Sequence, residues 1–496
     1  MIDAAFRSLV FAAVTCASVG SVLAGTRVVP SQRPNIVLAI ADDWGWPHAG
    51  AYGDRVVRTP AFDRVACEGV LFSNAYVSSP SCTPSRGAII TGQHFFRLEE
   101  GANLWCEWPE GRFAEYPRLL ADAGYHVGSW RKAWGPGKGR PGGQPYANPD
   151  AFFAARPAGK PFCLWLGSSD PHRPFREGSG KERGMKLADV HLFAHYPDVP
   201  EIRSDVADYY FEVERFDRDI AELLARLEES GELERTIVVV TGDHGMPFPR
   251  CKGNVYDSGA RVPLAVRWGT RVRGGRAVTD FVSLTDLAPT FLEAAGIAIS
   301  EQMTGRSLLA LLVSEKEGRV EVGRDHVLIG RERHVVAQEA PESGGYPVRA
   351  LRSDEFLYIR NLEPGRWPAG TPHWERAQFP KAWLADCDNG PTKDWLWEHR
   401  EDPQVAPQYA LAFAKRPAEE LYDLRKDPGQ LVNVAADPAY AVAKDRLSAQ
   451  LARELAAAHD PRKSGEDAEF DRYRYLGGAP TWDRGTRAAP QRQPGD

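Results

Sequence analysis

Cysteine is scarce in this chain, with seven among 496 residues, at 16, 67, 82, 106, 163, 251 and 387. So few in so long a chain exclude a disulfide-built scaffold, and the lack of any Cys-x-x-Cys pair excludes zinc-ribbon or thioredoxin-like chemistry. A basic excess is also missing. Lys and Arg number 61 against 67 Asp and Glu, for a net charge of −6, which argues against nucleic acid as a partner. A local basic pocket for an anionic substrate is compatible with that balance. Beyond residue 24 no stretch approaches the ~20 apolar residues of a membrane span, so stable membrane insertion is not expected. No internal repeat is present. The composition, 43% hydrophobic and 26% charged, is that of a globular protein.

Residues 1–24 read as a secretory signal. Arg7 gives a short positive segment, Leu9 to Leu23 is mostly small and apolar, and Val22-Leu23-Ala24 precedes Gly25 as a cleavage site. Export follows, to a periplasmic or extracellular destination, or a lysosomal one in a eukaryote. Cys16 would leave with the signal.

Asn35-Ile-Val-Leu-Ala-Ile40 is a continuous apolar run, the pattern of a strand buried on both faces, and similar runs recur at Phe162–Gly167, Thr236–Thr241 and Val262–Trp268. Between them Asp205 to Glu229 follows a 3.6-residue period, with Gly231 closing the segment. Strands alternating with helices predict an α/β domain with a largely parallel sheet, over residues 33–340. A smaller unit over 346–470 carries two strand-like runs around Ser353-Asp354, five tryptophans from Trp367 to Trp397, and an Ala/Leu-rich helix over 439–458. The stretch 477–496, rich in Gly, Pro, Arg and Gln, reads as a loose tail.

Asp42 and Asp43 directly follow the first strand, and Asp243-His244 follow another in the same manner. Ligands of open α/β sheets bind at the carboxyl ends of strands, and three carboxylates with one neutral side chain suit Ca²⁺ or Mg²⁺ better than zinc. Two unrelated polar turns are the other reading. Pro84 in a first helical turn predicts a helix over 86–91, with Cys82 near its N-terminus.

Cys82-Thr-Pro-Ser-Arg86, followed by Thr91-Gly92, resembles the signature of the type I sulfatases. The Asp-Asp pair about forty residues earlier stands where that family has one. Lys132, His172 in Asp170-Pro-His-Arg-Pro174, the Asp243-His244 pair and Lys252 are similar to further family positions in the family's order. The resemblance runs from about residue 33 to 461. It implies an alkaline-phosphatase-like fold: a large mixed, mostly parallel sheet flanked by helices, with a smaller C-terminal α+β domain carrying a short antiparallel sheet. It also implies that Cys82 is oxidised to formylglycine (3-oxoalanine) by a formylglycine-generating enzyme during export. Asp42, Asp43, Asp243, His244 and residue 82 would hold the cation. Arg86 and Lys132 would hold the nucleophile and the sulfate, and His172 or Lys252 would protonate the leaving group.

The substrate expected is a sulfated saccharide. Gly245-Met-Pro-Phe-Pro249, Gly345-Tyr-Pro-Val-Arg349 and His459-Asp-Pro461 resemble the sulfamidase (heparan N-sulfatase) branch, which acts on N-sulfoglucosamine. An O-sulfatase of a glycosaminoglycan or other sulfated polysaccharide would share every catalytic residue. One departure stands out: where the family has His two residues after the lysine, this chain has Trp134, a residue with no base to offer. His94 or His48 could replace it, Trp134 could form a pocket wall, or the chain could bind sulfated glycans without turnover. Arg331, Arg333 and His334 form a basic cluster that could grip a uronate or further sulfates, or be a solvated loop.

Overall fold

The computed structural model describes residues 33–379, 381–464, 468–478 and 481. The expected signal segment and nearly all of the expected tail lie outside the described residues. In chain order the strands are β1 (Asn35–Ala41), β2 (Val70–Tyr76), β3 (Cys106–Glu107), β4 (His126–Arg131), β5 (Gly137–Lys138), β6 (Gln144–Tyr146) and β7 (Phe162–Gly167). There follow β8 (Thr236–Gly242), β9 (Leu264–Arg267), β10 (Arg276–Ser283), β11 (His326–Arg331), β12 (Val348–Ser353), β13 (Phe356–Asn361) and β14 (Glu419–Asp423).

The main sheet has the order β10-β2-β9-β8-β1-β7-β4-β6. Its pairings are parallel except those of β9, which runs antiparallel to both β2 and β8. The run at 262–268 is thus a strand as expected, but a reversed one. Every residue of β1 is buried, and alternate residues face opposite layers, because side chains alternate across a strand. Ile36, Leu38 and Ile40 join one apolar cluster, Val37, Ala39 and Ala41 the other. Each fully buried aliphatic side chain contributes roughly 1.5–3 kcal/mol, which holds β1 in the centre of the sheet.

The second layer is dominated by the helix Pro200–Glu229, whose Val206, Tyr209, Tyr210, Val213, Phe216, Ile220, Leu223, Leu224 and Leu227 are buried. It begins five residues before the periodic stretch, because Pro200 sits at the first helical turn, where its missing N–H costs nothing. The helix expected at 86–91 is also longer and starts at Cys82 itself, after extended Ser81.

A four-stranded antiparallel sheet, β11-β12-β13-β14, completes the fold. Its first strand comes from before residue 340. One face joins the main core through Ile329, Ala350, Leu357 and Ile359. The other face carries Leu351, Tyr358 and Leu421 against Leu447, Leu451 and Leu455 of the helix Ala441–Ala457. Of the tryptophans, Trp383 is fully buried and packs edge to face on Trp397 at 5.1 Å, while Trp395 stacks on His399. Trp383 packs the interior of the segment, with the half-buried Trp395 and Trp397 against it.

His326 fastens β11 to that last helix: Nδ1 lies 2.6 Å from Asp325 Oδ1 and Nε2 lies 2.6 Å from Glu454 Oε2. Burial opposes its charge, but the hydrogen bonds to Glu454 and Asp325 raise its pKa above the ordinary value. A histidine with a raised folded pKa adds stability that is complete below the unfolded value, about 6.5, and is lost as pH rises through the folded one. The stability difference between wild type and His326→Gln in urea titrations is therefore expected to be largest at pH 6 and to shrink toward pH 8.5. A difference independent of pH would contradict the clasp.

Candidate active site

Four neighbouring strands in the centre of the sheet end at the same edge. Asp42 and Asp43 follow β1, Asp243 and His244 follow β8, Lys132 follows β4, and His172 lies in the loop after β7. Register makes the ends coincide, since Ala41 pairs with Gly242 and Gly167 with both Ile40 and Arg131. Asp243 N–H donates to Ala41 O at 3.1 Å and Asp42 N–H to Asp170 O at 3.0 Å. The turn after β1 is tight: Asp43 is left-handed with φ 74°, a cost of roughly 1–3 kcal/mol for a residue with a Cβ. Its N–H donates to Asp243 Oδ1 at 2.9 Å, and Tyr209 of the long helix donates to its carbonyl at 3.3 Å. Gly242 allows this approach, because a Cβ there would overlap the Trp44 carbonyl.

Cys82 opens its helix and faces the cluster. Its Sγ lies 3.3 Å from His244 Nε2 and 3.8 Å from Asp42 Oδ1. The helix is pinned by Ser85 Oγ donating to Asp243 O at 2.5 Å and by Thr83 Oγ1 donating to Pro136 O at 2.6 Å. Residue 82 thus sits at the positive end of a helix dipole.

Each carboxylate has its own cation. Lys132 Nζ donates to both oxygens of Asp42 at 2.5 and 2.6 Å. Arg86 Nε lies 2.7 Å from Asp243 Oδ2 and Lys252 Nζ 2.9 Å from Asp43 Oδ2. Burial pushes the Asp42 carboxyl up, but Lys132, with His172, Arg86 and Lys252, holds it well below the usual range. Burial opposes charge on His244 too, yet Asp243, Cys82 and Asp43 raise it to about 10. His172, a third exposed, places Nε2 3.9 Å from Asp43 Oδ2, while its Nδ1 lies 2.6 Å from Arg173 O.

Asp42, Cys82, Asp243 and His244 bring one potential ligand atom each within 4.8 Å of one another. Among the described residues the buried Asp43 Oδ1 has no hydrogen-bond partner, and it lies 3.3 Å from His244 Nε2. A buried carboxylate oxygen left unsatisfied calls for a cation, so this donor set of hard oxygens and one imidazole fits a divalent metal. Binding there would displace the His244 proton.

Not every expected residue joins this cluster. His334 comes close: its Nδ1 lies 2.8 Å from Ser81 Oγ, the residue capping the Cys82 helix. Burial and Lys252 hold it well below the ordinary histidine value, hence neutral. Arg331 and Arg333 are buried and face inward, which corrects their expected role as a substrate grip. Arg331 donates to the carbonyls of Gly253, Pro368 and Tyr346, and Arg333 to those of Tyr473 and Ser343. Trp134 donates its indole N–H to Gly139 O at 3.1 Å and packs on Trp108, so its contacts are structural. Neither suggested replacement for the family histidine is at the site. His48 lies against Tyr210 and Asp54, and His94 stacks on Phe96 with its pKa lowered to about 4 by burial.

One site residue gave no sequence signal. Asp388 places Oδ2 3.1 Å from Lys252 Nζ and falls within 4.8 Å of ligand atoms on Asp43 and His172. It lies 136 positions from Lys252 in a segment with no strand end or motif to announce it.

Carboxylates at strand ends, residue 82 at a helix N-terminus and a ring of cations form a site of the class suited to tetrahedral oxyanions. Comparison with known proteins narrows the class. Residues 34–149 and 146–297 match the sulfatase family model, and the chain belongs to the sulfatase family. It is similar to the N-sulphoglucosamine sulphohydrolase of Homo sapiens, at 28% identity over 86% of this chain and 91% of that one. It is also similar to an ulvan-active sulfatase of Formosa agariphila, at 26% over 84% and 79%. Among solved structures, one in complex with its substrate D-glucosamine-2-N,6-O-disulfate superimposes with TM-score 0.60 at 19% identity, covering 86% of this chain and 99% of the other. The phosphonate monoester hydrolase of Agrobacterium radiobacter superimposes with TM-score 0.61 at 17% identity, covering 86% and 96%. These likenesses show the fold.

Arg86 is fully buried between Asp243 and Asp42, with Nη1 also donating to Lys132 O. Arg86→Ala is expected to destabilise the protein by about 3–5 kcal/mol, the effect of leaving a buried charge unpaired, and Arg86→Lys by less. Urea unfolding monitored by tryptophan fluorescence measures both; equal stability of Arg86→Ala and wild type would contradict the role.

Proposed function

We propose that this sulfatase removes the sulfate of N-sulfoglucosamine with Ca²⁺, or alternatively Mg²⁺, as the cation and a formylglycine made from Cys82. One hydroxyl of its hydrate attacks sulfur as the N–S bond breaks and the amine leaves, and the second hydroxyl then expels sulfate and restores the aldehyde. The observation that carries the reading is the position of residue 82, at a helix N-terminus within reach of His244 and Asp42 and ringed by Arg86, Lys132 and Lys252. The human relative named for N-sulphoglucosamine supports the sugar.

Asp42, Asp43, Asp243 and His244 would hold the cation, which when bound supplies charge for the sulfate oxygens and lowers the pKa of a hydroxyl at residue 82. The chain's own groups do the rest. Lys132 and Lys252 are protonated, each raised against burial by neighbouring carboxylates, and they orient the sulfate by charge-assisted hydrogen bonds. Arg86 keeps Asp42 and Asp243 in place behind the nucleophile. His172, with Nδ1 held by the Arg173 carbonyl, presents Nε2 toward the leaving group. It is better placed to give up a proton than Lys252, which is held between Asp43 and Asp388. A formylglycine-generating enzyme acting on the exported chain is the partner this requires.

A second reading is an O-sulfatase of a polysaccharide, favoured by the similarity to an ulvan-active sulfatase. Product analysis separates the two. Formylglycine-bearing, Ca²⁺-loaded protein is expected to release sulfate and a free amine from N-sulfoglucosamine, with Cys82→Ala as the blank. Sulfate released only from O-sulfated sugars would overturn the N-sulfatase reading in favour of the second. Separately, Asp243→Asn is expected to weaken Ca²⁺ binding at least about tenfold in calorimetric titration; unchanged affinity would remove Asp243 from the cation site.

A further inference from the structure

Asp388 is a carboxylate in a site otherwise built of metal-ligating acids and sulfate-binding bases, and beyond its ion pair with Lys252 it has no part in the chemistry proposed for them. It belongs to none of the strand ends. Its segment is nevertheless held as firmly as they are. The buried Lys393 ammonium shares its three N–H donors among the carbonyls of Trp383, Leu384 and Cys387 and Asn389 Oδ1, all at 2.8–3.0 Å. Asp386 accepts from Val335 N–H at 2.7 Å. Asp205 of the long helix ties this segment to the His172 loop, accepting both guanidinium arms of Arg173 at 2.8 and 2.7 Å and the Thr392 hydroxyl at 2.6 Å. Gly390 lies so close under Arg173 that a Cβ there would overlap its guanidinium. Asp388 and His172 are therefore registered to each other by one buried carboxylate, the preorganisation a recognition group needs.

The Asp388 side chain is about 20% exposed. Its Oδ2 is buried against Lys252, and among the described residues no group donates a hydrogen bond to Oδ1. An ionised carboxylate only accepts hydrogen bonds. A substrate group that reaches Oδ1 from the side of Lys252 therefore has to be a donor.

We propose that Asp388 is a specificity residue of this site, accepting a hydrogen bond from a hydroxyl on the sugar carbon next to the sulfated position and rejecting a sugar with an anionic group there. The inference rests on the proposed sugar N-sulfatase reading. A polar group built to pair with a substrate hydroxyl discriminates against the analogue lacking it, because the site is then left unpaired.

The test compares kcat/KM of formylglycine-bearing wild type, Asp388→Asn and Asp388→Ala on N-sulfoglucosamine, its 3-deoxy analogue and its 3-O-sulfated analogue. Wild type is expected to prefer the parent over both analogues by about 10- to 100-fold, the effect of one hydrogen bond to a charged group. In Asp388→Ala the preference over the deoxy sugar is expected to fall to within about threefold, with Asp388→Asn between the two. Using the ratio removes any general loss that follows from disturbing Lys252. An active wild type with the same ratios in Asp388→Ala would overturn this inference alone. A wild type that releases no sulfate from any of the three sugars would overturn it together with the reading on which it rests.

Discussion

Three buried carboxylates at the ends of adjacent strands, each matched by its own cation, are the interaction on which the rest of this structure depends. Asp42 with Lys132, Asp43 with Lys252 and Asp243 with Arg86 cross-connect the loops after β1, β4 and β8 and the helix opened by Cys82. Desolvating so much like charge in one place is costly unless every member is paired and hydrogen-bonded. The pairing therefore fixes the geometry of four chain segments at once. Function follows from the same arrangement: preorganised cationic donors beside a helix N-terminus are what a tetrahedral anion and its transition state require.

The scaffold delivers that constellation through register rather than through loop length. Ala41 beside Gly242, and Gly167 between Ile40 and Arg131, place the site-bearing residues one or a few positions beyond paired strand ends. Tyr209 braces the left-handed Asp43 from the long helix, and Asp205 of the same helix ties the His172 loop to the Asp388 segment. One helix thus braces both the Asp43 turn and the His172 loop. The four-stranded sheet backs the main core, with Arg331 at the end of β11 and Arg333 just beyond it spent on internal carbonyls.

The strand ends were legible because a strand buried on both faces is an unbroken apolar run, and polar residues immediately after it must lie at the sheet edge. Asp42, Asp43, Asp243 and His244 were found this way, and Cys82, Arg86, Lys132, His172 and Lys252 by likeness to the family motif. Helix starts were less legible, as Pro200 and Cys82 show, because a first turn needs no periodic apolar residue. Sequence also misjudged which basic residues face outward: Arg331 and Arg333 look like a solvent-facing pair, yet carbonyls several segments away capture them. Asp388 was invisible for the opposite reason. Its meaning comes wholly from Lys252 and His172, which only the fold brings beside it.

The central claim is that residue 82, oxidised to an aldehyde and hydrated, supplies the nucleophilic hydroxyl of this charged cluster. Mass analysis of the peptide containing residue 82, in protein exported with a formylglycine-generating enzyme and fractionated by activity, tests it most directly. The account predicts an aldehyde at position 82 in the active fraction, captured by a hydrazide reagent, and a thiol in the inactive one. Full activity from protein whose residue 82 is entirely thiol would contradict it.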